Sequence, residues 1–359
     1  MLGRREGFLI LLTMALVLWG LLFVYSATFP LALRRYGDPS ALLKRQLVGV
    51  GLGILLLFFM WSVDYHLLGE LSPLFLLGTL ILLLLTYFPG IGVGGRWLAL
   101  GPFTLQPSEL GKLALLLYLG ASIVRRGEAM EGFREGILPH LVVLGIFGLV
   151  LISQPDFGMF VLYGALTFFL LWVGGAQVRH LGATVLGSLP LAGVALVAAP
   201  YRLGRLLAFL DPASFRDSYG YQVWQSLLAL GAGGIFGRGL GASRAKLFYL
   251  PSAHNDFIFA VVGEESGFLG ALLVIALLVS LVLVGLRIAA AAPDRLGTLY
   301  ALGVSFLFGF QALLNLGVVV GVFPVTGLTL PFISYGGSSL LVSLGGVGLL
   351  LGVARRAEV

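Results

Sequence analysis

The sequence predicts an all-α polytopic integral membrane protein of about ten transmembrane helices. Of its 359 residues, 59% are hydrophobic and 11% are charged, and the mean hydropathy is +1.04. A soluble globular chain carries roughly 25% charged residues, so lipid must be the solvent for most of this surface. The apolar runs are continuous and do not alternate, which excludes a transmembrane β-barrel. Nothing is left for a soluble domain, and residues 1–359 are predicted to form a single transmembrane domain.

Apolar runs follow one another along the whole chain, each near the roughly 20 residues that a helix needs to cross the hydrocarbon core. The first is too long for the core of a signal peptide, and no small-residue cleavage site follows it promptly. The predicted spans lie near residues 8–29, 42–62, 67–88, 108–124, 137–152, 158–174, 181–199, 258–286, 297–322 and 333–354.

Basic residues near the ends of these runs give the predicted orientation. With a cytoplasmic N-terminus, the inner face holds ten Arg, whereas the short outer loops hold five Arg or Lys. Both termini are therefore predicted to be cytoplasmic. The region at about 200–257, between helices 7 and 8, then forms one long extracellular loop, and long loops translocate largely regardless of their charge.

Composition also limits the chemistry that the chain can perform. The absence of Cys excludes disulfides and Cys-based metal sites, and four His argue against a His-rich zinc site. A net charge of +6 favours anionic lipid head groups or phosphate-bearing ligands. The letters Gly90-x-Gly92-x-x-Gly95 match a dinucleotide fingerprint, but no strand precedes them and no βαβ unit surrounds them, so we interpret them as a flexible outer turn.

Two polar breaks precede the fourth and sixth apolar runs. Pro107 suits the first turn of a helix, and Glu109 and Lys112, three residues apart, are neighbours on one face of that helix. Ionisable residues in a membrane segment are expensive and usually functional, but a structural ion pair fits these two residues equally well. Asp156 is interpreted as a helix cap in a hairpin turn.

The segment around Asp256 is the strongest candidate for catalysis. Asp256 lies where the long outer loop enters the eighth helix, and Glu264 follows eight residues later, a spacing that predicts one shared helix face. A carboxylate at a partly dry boundary has its pKa raised, as a general base near pH 7 requires. A helix cap at Asp256 and a buried partner of Arg or Lys at Glu264 are the structural alternatives. Residues 324–339 interrupt the apolar pattern and predict part of a site wall.

Several motifs in chain order resemble the SEDS family, which includes the RodA- and FtsW-type proteins and their sporulation relatives. The resemblance covers nearly the whole chain. It is carried by Arg96-Trp97-Leu98, Gln106-Pro107-Ser108-Glu109 with Lys112, Gln154-Pro155-Asp156, Gly220-Tyr221-Gln222, Asp256-Phe257-Ile258-Phe259-Ala260, Glu264-Glu265-x-Gly267 and Pro331-Phe332-Ile333-Ser334-Tyr335-Gly336-Gly337-Ser338-Ser339.

The resemblance implies a peptidoglycan glycosyltransferase that polymerises lipid II at the outer face of the bacterial cytoplasmic membrane. It also implies a partnership with a class B penicillin-binding protein, and it maps the family's essential aspartate onto Asp256. Elongation and division roles both stay open. A divalent cation, Mg²⁺ or Mn²⁺, is compatible with a diphosphate leaving group, although no protein metal ligands are predicted. Membrane lipids are expected partners, and nucleic acid is not.

The predicted site therefore has one catalytic residue and a wider substrate-binding set. Asp256 is the general base of an inverting transfer. The substrate-binding candidates are Trp97, Glu109, Lys112, Arg202, Arg205, Arg216, Gln222, Arg244, Lys246, Glu264, Ser334 and Ser338.

Two other functions fit a polytopic chain with a basic outer face. A lipid II flippase is the main alternative, but it needs polar groups through the whole membrane depth, whereas here they concentrate in the outer half. A scaffold without chemistry would leave the groups around Asp256 and Lys112 unexplained.

Overall fold

The computed structural model describes residues 4–101, 103–197, 200–211 and 214–357. The helices are α1 (Arg4–Tyr36), α2 (Ala41–Ser62), α3 (Tyr65–Leu85), α4 (Pro107–Arg126), α5 (Leu138–Ser153), α6 (Phe157–Val173), α7 (Val178–Val197), α8 (Pro200–Leu210), α9 (Tyr221–Gly233), α10 (Ile258–Ala291), α11 (Arg295–Val319) and α12 (Gly337–Ala357).

Each predicted apolar run coincides with a helix, because a continuous apolar stretch in lipid must satisfy its backbone internally. Within the described residues, eight helices are long and apolar enough to cross a membrane, and α6 is a shorter apolar helix. The prediction of an all-α polytopic membrane protein is confirmed. The long region after α7 is more ordered than a plain loop, since α8 and α9 lie within it. The second of these falls on residues 221–231, whose moderately apolar sequence is compatible with a short interfacial helix.

The centre of the bundle consists of α4 and α12. In the most apolar stretch of each helix, 83% of the residues of α4 and 89% of those of α12 are buried. The corresponding share for α2 is 22%. α2 nevertheless packs closely along α12, because glycines stand where the two backbones approach. A Cβ added at Gly49 would lie 2.7 Å from the Cα of Gly337, and one at Gly352 would lie 3.2 Å from the carbonyl oxygen of Met60. The small-residue stripes of the two helices therefore form one intramolecular interface.

A small antiparallel sheet joins α3 to α4, where a flexible turn was predicted. Its strands, in spatial order, are β1 (Gly92–Val93), β2 (Trp97–Leu100) and β3 (Phe103–Leu105). Trp97 pairs with Val93, and Leu98 pairs with Leu105. Gly90, Gly94 and Gly95 do lie in turns, as predicted, but the strand at Gly92–Val93 was missed because strands this short, set among glycines, give almost no alternating signal. The sheet carries Trp97 and leads directly into the first turn of α4.

Candidate active site

A polar cavity of about 490 Å³ opens where α4, α6, α10 and α12 begin. The wall is formed by the sheet, the turns before α6 and α10, the middle of α8, the first turn of α9 and the segment between α11 and α12. Its polar lining consists of Arg96, Trp97, Thr104, Gln106, Glu109, Asp156, Arg205, Gln222, Ser252, Asn255, Asp256, Thr326, Thr329, Tyr335, Ser338 and Ser339.

Asp256 lies in the wall of this cavity, in the turn that precedes α10. Its side chain is half-buried, and Phe257 occupies the N-cap position, so Asp256 stands just outside the helix. Burial raises the pKa of the Asp256 carboxyl to about 6, against the smaller opposing effects of its own backbone N–H and of the Arg205 guanidinium. A carboxylate with this pKa can accept a proton near neutral pH.

The first turn of α4 supplies a second wall. Pro107 occupies the start of the helix, as predicted. Glu109 lines the cavity and forms an ion pair with Lys112, one turn deeper. The side chains of both residues are at most 4% exposed, and the Lys112 ammonium also donates to the Gln311 side-chain oxygen at 2.9 Å. Lys112 thus lies behind the cavity lining, where both of its partners are protein groups.

Asp156 lines the cavity, although the sequence predicted only a helix cap for it. It does occupy the N-cap position of α6, but its carboxylate accepts from Gln106 Nε2 at 3.2 Å and from Ser108 Oγ at 3.3 Å. Burial raises the pKa of Asp156, which Arg96 opposes and Glu109 reinforces. The cavity therefore holds three carboxyl groups, of which Asp156 could have been found from its place in the Gln154-Pro155-Asp156 motif.

Arg96 fixes the sheet against the same turn. Its Nε donates to the Gln154 carbonyl at 2.6 Å, and its terminal nitrogen donates to the Pro155 carbonyl. Arg96 remains in the cavity wall beside Trp97, whose side chain is 37% exposed. A cation and an indole ring therefore face the cavity from one short strand connection.

The two predicted serines near the start of α12 have different positions: Ser334 lies in the segment between α11 and α12, and Ser338 lies in the first turn of α12. Ser338 lines the cavity; its Oγ accepts from the Gln106 backbone N–H at 2.9 Å and donates to the Thr104 carbonyl at 3.1 Å. Ser334 is buried outside the lining and donates to the Asn255 carbonyl at 2.6 Å. Ser334 therefore holds the Asp256 turn and does not face the cavity.

Glu264 lies away from the cavity, in a buried network that joins the segment between α9 and α10 to α10. Its carboxylate accepts from Ser243 Oγ at 2.5 Å, from Arg238 at 3.1 Å and from the Arg244 backbone N–H at 3.1 Å. The prediction that Asp256 and Glu264 share a helix face is wrong, because α10 begins at Ile258 and helical spacing does not extend back to Asp256.

The remaining predicted basic residues are dispersed. Arg205 lines the cavity and donates to the Val325 carbonyl at 3.3 Å, while Arg216 is exposed beside Asp217. Lys246 is buried, with its ammonium 2.7 Å from Glu265, and Arg244 is absent from the lining among the described residues. The side chain of Arg202 lies outside the described residues. Gln222 lines the cavity at the first turn of α9.

No group of three or more His, Asp or Glu within the described part of the chain could hold a metal ion. The three cavity carboxyls do not form such a group, so a divalent cation stays a prediction tied to the diphosphate of a substrate.

Another cavity, of about 600 Å³, opens at the opposite end of α10 and α12. Four of its side chains, two aspartates, a histidine and an arginine, are already paired with one another. His66 lies between Asp64 at 2.9 Å and Asp294 at 3.1 Å, and Arg356 pairs with Asp64 at 2.6 Å. The cavity around Asp256 is therefore the better candidate for chemistry.

Comparisons with known proteins agree over the length of the chain. The profile of a family described as cell cycle protein, which covers FtsW, RodA and SpoVE, matches residues 7–359. The chain is 41% identical to the probable peptidoglycan glycosyltransferase FtsW of Geobacter sp. (strain M18), over 98% of each chain. It is 40% identical to the stage V sporulation protein E of Bacillus subtilis (strain 168), over 97% of this chain and 96% of that protein.

Solved structures are similar as well. A structure of a peptidoglycan synthase complex, described as coordinating polymerization and crosslinking, contains a chain with a TM-score of 0.80 and 33% identity, with 97% of each chain covered. The crystal structure of the rod shape determining protein RodA of Thermus thermophilus gives a TM-score of 0.68 at 32% identity, covering 98% of this chain and 97% of that one.

Proposed function

The chain belongs to the FtsW, RodA and SpoVE family of cell cycle proteins, and on this premise we propose that it polymerises lipid II into glycan strands at the outer face of the cytoplasmic membrane. It is a multi-pass membrane protein and a peptidoglycan glycosyltransferase, like the curated relatives that it resembles over nearly their whole length. One observation carries the mechanism: the cavity wall presents Asp256 where a membrane-spanning helix begins. A substrate with a polyprenyl tail in lipid and a sugar head at the surface would react at such a boundary.

Asp256 is the proposed general base. It takes the proton of the acceptor's 4-hydroxyl as that oxygen attacks the anomeric carbon of the donor, and the bond to the diphosphate breaks. The donor linkage is α and the product linkage is β, so one direct displacement with inversion suffices. Asp156 is a weaker candidate for this task, because it is only 8% exposed and its Oδ2 already accepts from Gln106 and Ser108.

Negative charge develops on the departing diphosphate and needs cations nearby. Arg205 and Arg96 are the Arg residues in the described cavity lining. We therefore propose that the diphosphate binds beside these two residues. Trp97 is proposed to stack on a sugar ring; anchoring at the membrane interface is the alternative role for an exposed Trp. A divalent cation would enter with the diphosphate, and the proton transfer to Asp256 does not depend on it.

A class B penicillin-binding protein is the proposed partner, as the similarity to a chain of a peptidoglycan synthase complex supports. A role in division rather than elongation is also proposed. It is supported by 41% identity to a protein named FtsW, against 32% to a RodA.

The experiment that tests the proposed function uses purified protein in detergent with lipid II. Detergent leaves no membrane to cross, so glycan polymer formed there requires a polymerase. Binding of lipid II without polymer, combined with movement of lipid II across reconstituted vesicles, would instead support the flippase alternative.

The rate of polymerisation should depend on pH through Asp256. The base must be deprotonated, so kcat/KM should rise with pH through a midpoint near 6, the pKa to which burial raises this carboxyl. Below that midpoint the rate should fall about tenfold per pH unit. Initial rates of glycan formation between pH 4.5 and 8 measure this profile, and a flat profile from pH 5 to 7 would contradict the assignment.

Arg205→Ala should weaken substrate binding more than it slows chemistry. Losing a cation from the cavity should raise KM for lipid II about 10- to 150-fold, which corresponds to the roughly 1.5–3 kcal/mol that hydrogen bonds to charged groups contribute. Arg287→Ala is the matched control, because Arg287 is exposed near the other end of α10. Equal KM changes in the two variants would argue against phosphate binding on the Asp256 side.

A further inference from the structure

The turn that carries Asp256 is tethered at three consecutive carbonyl groups. The Tyr335 backbone N–H donates to the His254 carbonyl at 2.9 Å, and Ser334 Oγ donates to the Asn255 carbonyl at 2.6 Å. The Asp256 carbonyl accepts from Asn315 Nδ2 at 2.7 Å. The first two donors come from one segment between helices, whereas the third comes from within α11.

Asn315 is 1% exposed, and its amide orientation is fixed by its partners. Nδ2 donates to the carbonyls of Asp256 and Leu328, each at 2.7 Å. Carbonyl oxygens only accept, so the NH₂ group must face them. Asn315 Oδ1, by contrast, finds no hydrogen-bond partner within the described residues. A buried acceptor without a partner is unfavourable. The two hydrogen bonds that Nδ2 donates must therefore offset this cost, and they explain why an amide occupies this position.

Gln311 stands one helical turn before Asn315 and is 2% exposed. Its Nε2 donates to the Thr329 carbonyl at 2.8 Å, and its Oε1 accepts from Lys112 Nζ at 2.9 Å. Lys112 in turn pairs with Glu109 in the cavity wall. Asn315 therefore contacts the turn that carries Asp256, and Gln311 is linked to Glu109 through Lys112.

We propose that Gln311 and Asn315 are positioning residues that fix the positions of Glu109 and Asp256 relative to each other in the cavity wall. This inference rests on the proposed function, in which Asp256 is the base. Neither amide is in the described cavity lining, so neither touches substrate; they act through the backbone at Asp256 and through Lys112. Displacement of a base by about 1 Å is enough to slow a reaction about 10²-fold.

Asn315→Leu tests the proposal. Leu has a similar volume and removes both the two donors and the unpartnered oxygen. We expect kcat for glycan formation to fall about 10- to 100-fold, with KM for lipid II changed less than about threefold. The midpoint of the pH profile should also move, because Asp256 shifts in its partly desolvated site. A purely structural role would lower the yield of folded protein without moving that midpoint.

Ser305→Ala is the matched control, since Ser305 is buried on the same helix and its hydroxyl bonds only the Ala301 carbonyl of its own helix among the described contacts. Gln311→Met provides a second test if Asn315→Leu purifies poorly, and its kcat should fall about tenfold. Unchanged kcat and pH midpoint in the folded variants would overturn the positioning role. An inert wild-type protein, or a fully active Asp256→Asn variant, would instead overturn the proposed function beneath it.

Discussion

Asp256→Asn should leave a folded protein that binds lipid II and forms almost no glycan polymer. Asn keeps the volume of Asp but cannot take a proton from the acceptor hydroxyl, and loss of a general base typically slows a reaction about 10²- to 10⁴-fold. The carboxylate is in the cavity wall, and no side chain in the described residues donates a hydrogen bond to it. Its own backbone N–H and the Arg205 guanidinium act on it, and Asn keeps an oxygen that can face both. Polymer length and initial rate in detergent, together with lipid II affinity, measure the effect.

The matched control for this variant is Asp217→Asn. Asp217 lies between α8 and α9, and its side chain is 90% exposed, so the same chemical change there removes a solvated carboxylate. We expect near wild-type rates from it. Near wild-type synthesis by purified Asp256→Asn would refute the base assignment and would direct attention to Asp156, the other cavity acid in the turn before a helix.

The helices were predictable because one physical requirement acts on every residue of a span. Lipid demands about 20 consecutive apolar residues, and each of the predicted runs coincides with a helix. The start of α4 at Pro107 was predictable for a local reason, since proline lacks the N–H that a first helical turn leaves unsatisfied. These features depend on the chain alone and not on what packs against it.

The cavity was only partly predictable because its walls come from segments far apart in the sequence. Asp156 resembles a cap, and only its contacts with Gln106 and Ser108 of another helix bring it into the wall. Glu264 and Lys246 were predicted to bind substrate, but Glu264 is bonded to Arg238 and Ser243, and Lys246 is bonded to Glu265. A charged residue beside a membrane span predicts that some polar or oppositely charged group binds it. Tertiary packing determines whether that group belongs to the protein or to a substrate.

Lys112→Met should strongly destabilise the protein. Lys112 and Glu109 form an ion pair whose side chains are 4% and 3% exposed, and removing one partner leaves a buried carboxylate without compensation. Breaking a buried pair in this way typically costs about 3–5 kcal/mol, a large share of the roughly 5–15 kcal/mol that keeps a domain folded. Thermal unfolding in detergent measures the loss. Lys44→Met, which breaks the exposed pair of Lys44 with Asp38, should change the midpoint very little.

The double variant Glu109→Leu/Lys112→Met separates structure from catalysis. Replacing a buried ion pair by apolar residues of similar volume is often neutral or stabilising, so the thermal midpoint should return close to that of the wild type. Polymerisation should nevertheless stay at least about tenfold below wild type, because Glu109 is lost from the cavity wall and the bond from Lys112 to Gln311 is lost from its support. If stability and activity recover together, the pair is structural and the cavity chemistry belongs to Asp256 and its remaining neighbours.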